Sequence, residues 1–234
     1  AKPFDSRQLV HNLNRIWSDT WLDGSDHSPE LARARDMRPV VAAADHILDI
    51  HSTSQPVQPF WVYPDRPRNA AAALAIGEPA VHLVMPQGLG SGTPLVQHGH
   101  HGTAGFHGVG LVAECGQHFQ QASGDRAIRV AMRFLAHFGL VPPQHGWPAA
   151  APAQRYKLLQ TWVIKTPDFR FTRPLIGFET FGPGELIATD GADELRAPAD
   201  GCTVLMPARV AIVGREGVYL ARALAQAPAE ERAG

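Results

Sequence analysis

The pattern of apolar and polar positions divides the first half of the chain into alternating helix and strand. Ser28-Pro29-Glu30 reads as a helix start, with serine at the N-cap, proline at the first helical position and an acid in the first turn. The segment from there to about Ala44 is expected to be helical, with a bend at Pro39. His46 to His51 and Phe60 to Tyr63 are short apolar runs that predict buried strands. Arg68 to Ile76 is rich in alanine and reads as a helix ended by Gly77, and Ala80 to Met85 predicts a further strand. Such alternation argues for an α/β sheet with helices on its faces.

Gly88 to Gly108 has no sustained period and is rich in glycine and histidine, which predicts a long loop before a strand from Val109 to Glu114. Long loops within compact domains are often functional. Ser123 is expected to cap a helix running to about Phe138, with Ile128, Ala131, Phe134, Leu135 and Phe138 on one stripe. Pro142-Pro143 and Pro148 to Pro152 then break the pattern. Beyond them Tyr156 to Lys165, Leu186 to Ala188, Thr203 to Met206 and Val210 to Val213 are short β-like runs separated by Gly, Pro and Asp. The expected organisation is an α/β domain over 1–141, a Pro/Ala-rich linker over 142–154 and a small β-rich domain over 155–234, with Ala225 to Gly234 as a frayed tail.

With 234 residues, 44% hydrophobic and 18% charged, the chain can bury a substantial core. A net charge of -1 provides no broad attraction to phosphate backbones, so nucleic acid is not expected as a partner. No apolar run approaches the roughly 20 residues of a membrane-spanning helix. Cys115 and Cys202 are the only cysteines, too few for a disulfide framework, and a reducing, cytoplasmic setting is the expectation. Cys115, beside Glu114, reads either as a nucleophile or as a small buried strand residue on the opposite face; alternation along a strand favours the second.

The candidate chemistry lies in a few polar residues at element ends. His51 closes an apolar run and is either a metal ligand or an ordinary buried histidine. Asp49, two residues earlier on the same face, is a hydrogen-bond acceptor for it or simply a polar strand residue. Glu114 ends another apolar run, where a carboxylate is costly to bury without a partner, so it is either in a structural ion pair or a water-activating base. Asn14 and Arg15 either cap a helix start or grip a carboxylate, a task for which the planar guanidinium is well shaped. His98, His100, His101 and His107 form the densest histidine cluster, and a substrate-lining loop is preferred to a second metal site because the fixed ligand spacing of known sites is missing.

In order, Arg7, Asn12-Leu13-Asn14-Arg15, His46-Ile47-Leu48-Asp49-Ile50-His51-Ser52-Thr53-Ser54 and Gly110-Leu111-Val112-Ala113-Glu114 resemble the motifs of the aspartoacylase and succinylglutamate desuccinylase family, a branch of the zinc carboxypeptidase fold. The resemblance implies a mixed sheet flanked by helices, with a small β-rich domain at the C-terminus packed over the mouth of the site. It implies that His51 is the last of three protein zinc ligands, that Glu114 is the catalytic base, that Arg7 polarises the scissile carbonyl, and that Asn14 and Arg15 hold the substrate carboxylate. Glu216-Gly217-Val218-Tyr219 is similar to the segment in which the family's tyrosine reaches back to the substrate, the alternative being a Tyr219 packed in the core. The family's other two ligands come from an H-x-x-E motif upstream of the arginine. None precedes Arg7 here, so the N-terminal part of the family domain is expected to be absent from this chain. The implied activity is zinc-dependent hydrolysis of a small N-acyl amino acid or related carboxylate-bearing amide. The alternatives are a zinc carboxypeptidase-like peptidase and a metal-free carboxylate-binding protein. Acyl group, amino acid and oligomeric state stay open.

Overall fold

The structure, a computed structural model, describes residues 8–86 and 92–225. Its elements begin with a short helix α1 (Asp19–Leu22), helix α2 (Pro29–Ala43), strands β1 (Ile47–Thr53) and β2 (Phe60–Pro64), helix α3 (Pro67–Ile76) and strand β3 (Val81–Met85). They continue with β4 (Gly110–Gln117), helix α4 (Gln121–His137) and β5 (Gln154–Val163). The remaining strands are β6 (Arg170–Phe171), β7 (Thr180–Phe181), β8 (Leu186–Asp190), β9 (Asp193–Arg196), β10 (Cys202–Leu205) and β11 (Glu216–Ala223).

The expected helix starts and stops are built as their residues dictate. Ser28 accepts a hydrogen bond from the Leu31 N–H and so satisfies one of the donors that a helix start leaves open. Gly77 ends α3 in the left-handed conformation, where a side chain would also run into Ala150. Helix α4 differs from expectation: it starts two residues before Ser123, whose hydroxyl donates to the Gln117 carbonyl instead of capping. Its buried stripe runs through Val130 and Phe134, with Ala127 and Phe138 packed beside them, while Ile128 points to solvent. Val210 to Val213 is an exposed turn, and the strand of that region is β11.

Eight strands form one mixed sheet in the order β1-β4-β2-β3-β5-β11-β10-β7, and β6-β8-β9 form a second, smaller one. β4 runs parallel to β1 and antiparallel to β2, while β5 runs parallel to β3. The large sheet therefore passes from the segment before the Pro/Ala-rich stretch into the segment after it. Helices α3 and α4 cover one face, burying Trp61, Tyr63, Leu111, Ala113 and Cys115. The other face buries Val112 and Ile47 with Trp17, Leu31 and Val96, and farther along Phe60, Leu83 and Tyr219. Strict alternation in β4 thus puts Cys115 in the helix-covered core and leaves Glu114 on the face of Val112. Burial, and then the charge of Glu114, pushes the Cys115 thiol up to about 11, which suits a packing role.

The helix-covered face also holds a polar pair. Tyr63 Oη lies 3.0 Å from His82 Nδ1, both side chains being almost wholly buried. Burial, and then the charge of Arg155, lowers His82 from its ordinary 6.5 to about 4, so the imidazole is neutral in the folded chain. Because the unfolded chain takes up this proton first, stability is full above pH 6.5 and should be lost as the pH falls towards 4, by something of order 3 kcal/mol. Denaturant unfolding across that range should show the loss, and His82→Phe should flatten it. An unchanged slope would assign the acid sensitivity elsewhere, for instance to His101, which burial also lowers.

Candidate active site

The site is assembled where β1 and β4 end side by side. Their parallel register sets His51 opposite Glu114, and Glu114 in turn stands opposite Phe60 of β2. Asp49 and His51, two positions apart, share one face of β1. His51 Nε2 lies 3.0 Å from Asp49 Oδ2, while its Nδ1 lies 3.8 Å from Glu114 Oε1. The same Nε2 lies 3.3 Å from Asn14 Nδ2, so one edge of the ring meets Asn14 and Asp49 and the other faces Glu114. Glu114 itself is buried at 4% exposure, which gives a base a desolvated setting.

Asn14 and Arg15 reach this strand end from a single 3-10 turn, Leu13–Arg15, that Asn12 caps by accepting the Asn14 N–H. The Asn14 amide is oriented at both ends. Its Oδ1 accepts from the Leu95 N–H at 2.8 Å and its Nδ2 donates to Asp49 Oδ2 at 3.2 Å. Arg15 is held at three nitrogens: Nε donates to Glu216 Oε1 at 2.8 Å, Nη1 to the Asn14 carbonyl at 2.8 Å and Nη2 to Tyr219 Oη at 3.3 Å. Burial works against the Arg15 charge, but Tyr219 and Glu216 together hold its pKa above the ordinary value. Burial, and then Glu216, keeps the Tyr219 phenol protonated. Tyr219 is thus both packed in the core and in contact with the site.

The histidine-rich loop buttresses the site. Thr93 pairs with the backbone of Arg15 and Trp17, and Leu95 holds Asn14. His98 Nδ1 donates to the Trp17 carbonyl and His101 Nε2 to that of Val41, so these two rings spend a nitrogen on main-chain oxygens. Arg68 gathers the carbonyls of His101, Thr103, Ala104 and Gly108. His107 is exposed beside Asp45. Among the described residues, no group of three or more His, Cys, Asp or Glu side chains could hold a metal ion.

Of the residues singled out in the sequence, Asn14, Arg15, His51, Glu114 and Tyr219 come together, whereas Arg7 lies outside the described residues. In the sequence Glu216 stands out only as part of the Glu216-Gly217-Val218-Tyr219 segment. Its tie to Arg15 spans 201 positions, and no local pattern announces it.

No protein-family model matches the sequence, and no curated protein does. Solved structures do. The chain superposes on succinylglutamate desuccinylase from Vibrio cholerae with a TM-score of 0.68 at 21% identity, covering 92% of this chain and 66% of that one. The enzyme of the same name from Vibrio parahaemolyticus gives 0.67 at 18% identity, with coverages of 94% and 67%. The fold is that of the succinylglutamate desuccinylases. A product-bound structure of the ectoine utilization protein EutE (DoeB) from Ruegeria pomeroyi shares it with a TM-score of 0.60 at 15% identity, covering 92% of this chain and 68% of that one. The chain thus spans about two thirds of the length of each. Within the desuccinylase fold, the pairing of β1 with β4 is what sets His51 against Glu114.

Proposed function

We propose that this chain belongs with the desuccinylases and aspartoacylases in activity as well as fold, and hydrolyses the amide bond of a small N-acyl amino acid. The observation that carries this reading is the oriented pair at the strand ends: His51 with Nε2 bound to Asp49 and Nδ1 turned to a buried Glu114. Glu114 takes a proton from the attacking water and returns it to the leaving amine. Arg15, anchored by Glu216 and Tyr219, presents a fixed positive charge to the substrate carboxylate. Asn14 contacts both Asp49 and His51 and keeps the pair in place. Arg7 is proposed to polarise the scissile carbonyl, as the family motif implies.

Zinc is the proposed cofactor. The described residues suit one corner of such a site, since a carboxylate beside one ring nitrogen, as Asp49 is beside His51, is what orients a histidine ligand. Zinc sites generally use three or four protein ligands, so the others would come from outside the described residues. When bound, the ion acidifies a water and polarises a carbonyl.

Metal content tests this directly. The protein purified with all of its natural sequence should hold one zinc per chain, and His51→Ala should lose both the metal and amide hydrolysis. A protein that takes up no zinc and hydrolyses no N-acyl amino acid would leave a carboxylate-binding role in place of the enzymatic one.

A further inference from the structure

Glu216 and Tyr219 are three positions apart on β11, and in a regular strand an odd offset sends two side chains to opposite faces. Both nevertheless contact Arg15. The register against β5 explains how. Glu216 stands opposite Val163 and Val218 opposite Trp162, so β11 takes two steps where β5 takes one, and Gly217 is the extra residue. Past it, Val218 and Leu220 pack with Ile164 and Phe169, while Tyr219 and Ala221 pack with Phe60 and Leu83. Without the bulge, Glu216 would fall on the Val218 side. The bulge also needs its glycine, because a Cβ there would come within 2.9 Å of Ile164 Cγ1 and 3.1 Å of Phe169 Cζ.

We propose that this bulge makes Glu216 a positioning residue for the candidate site: with Tyr219 it grips the Arg15 guanidinium from one strand and sets the direction in which Arg15 meets a ligand carboxylate. The inference rests on the reading of Arg15 as the carboxylate-binding residue and extends it to what aims that residue. An arginine has many rotamers and its planar fork binds a carboxylate well only in a few of them. Removing Glu216 leaves the charge and loses the aim. Glu114 and His51 keep their own partners, so the effect belongs in binding and not in proton transfer.

The test compares Glu216→Ala, Glu216→Asp and Glu216→Gln on N-acetyl-L-glutamate and on its dimethyl ester. Glu216→Ala should raise KM for the acid by about 10-fold or more, the size expected of a hydrogen bond to a charged group, with kcat changed by less than about 3-fold. The ester should show no such rise. Glu216→Asp keeps the charge but not the reach and should behave like the alanine variant, which also decides the matter if that variant does not fold. Glu216→Gln retains an oxygen to accept the Arg15 Nε–H and should recover most of the affinity. A second readout needs no turnover: the Arg15 Nε–H resonance, assigned by its disappearance in Arg15→Lys, should move or broaden in Glu216→Ala and stay near its place in Glu216→Gln. If the wild-type protein turns over neither probe, the hydrolase reading fails on these substrates and the resonance alone decides the positioning role. An unchanged Arg15 signal, or KM rises that are equal on acid and ester, would overturn it.

Discussion

Glu114→Gln should lower amide turnover by at least about 100-fold, the lower end of what a general base contributes, while the fold and any bound metal survive. The substitution is nearly isosteric, and glutamine still fits beside His51 and Phe60 in the row that crosses β1, β4 and β2. What it cannot do is accept the proton of the attacking water. The discriminating measurement is turnover in a variant whose metal content and melting temperature match the wild type. Retained turnover in such a protein would remove Glu114 from the mechanism and leave it as the buried partner of His51.

Arg15→Lys has the second largest expected effect, because the lysine keeps one charge and loses three directed bonds. A single ammonium cannot meet Glu216, the Asn14 carbonyl and Tyr219 in the geometry that the guanidinium fork gives them. The loss should be substrate-dependent: affinity for an N-acyl amino acid falls by about 10-fold to 100-fold, in line with charge-assisted hydrogen bonds, while an ester or amide analogue is little affected. Equal losses on both compounds, with a lowered melting temperature, would instead give Arg15 a structural role at the junction of β11 with the start of the chain.

Much of this architecture is legible in local pattern. Ser28 and Gly77 mark helix ends through their own hydrogen bonding and backbone freedom, and the apolar runs around Ile47, Phe60, Val81 and Leu111 become central strands because nothing else buries them. The candidate residues on β1 and β4 are singled out by the order of the motifs together, since a polar side chain ending an apolar run has by itself an ordinary structural reading. What escapes is whatever depends on distant partners. Ser123 is a good capping residue by type, yet the nearby Gln117 carbonyl claims its hydroxyl. Val210 to Val213 has the composition of a strand but no neighbouring strand to complete it. Glu216 stands in the sequence only as part of the segment around Tyr219, and nothing local shows that the bulge at Gly217 turns it towards Arg15.

That long reach also orders events during folding. The Asp49, His51 and Glu114 constellation is built on β1 and β4, and these strands can pair without β11. Arg15 must wait for β11, so its tether closes a loop of roughly 200 residues and pays that entropy last. Until β11 is in place Arg15 lacks Glu216 and Tyr219, two of the three partners that hold its guanidinium. The orientation of Arg15 is therefore a late property of the fold, fixed only when positions 15 and 216 meet.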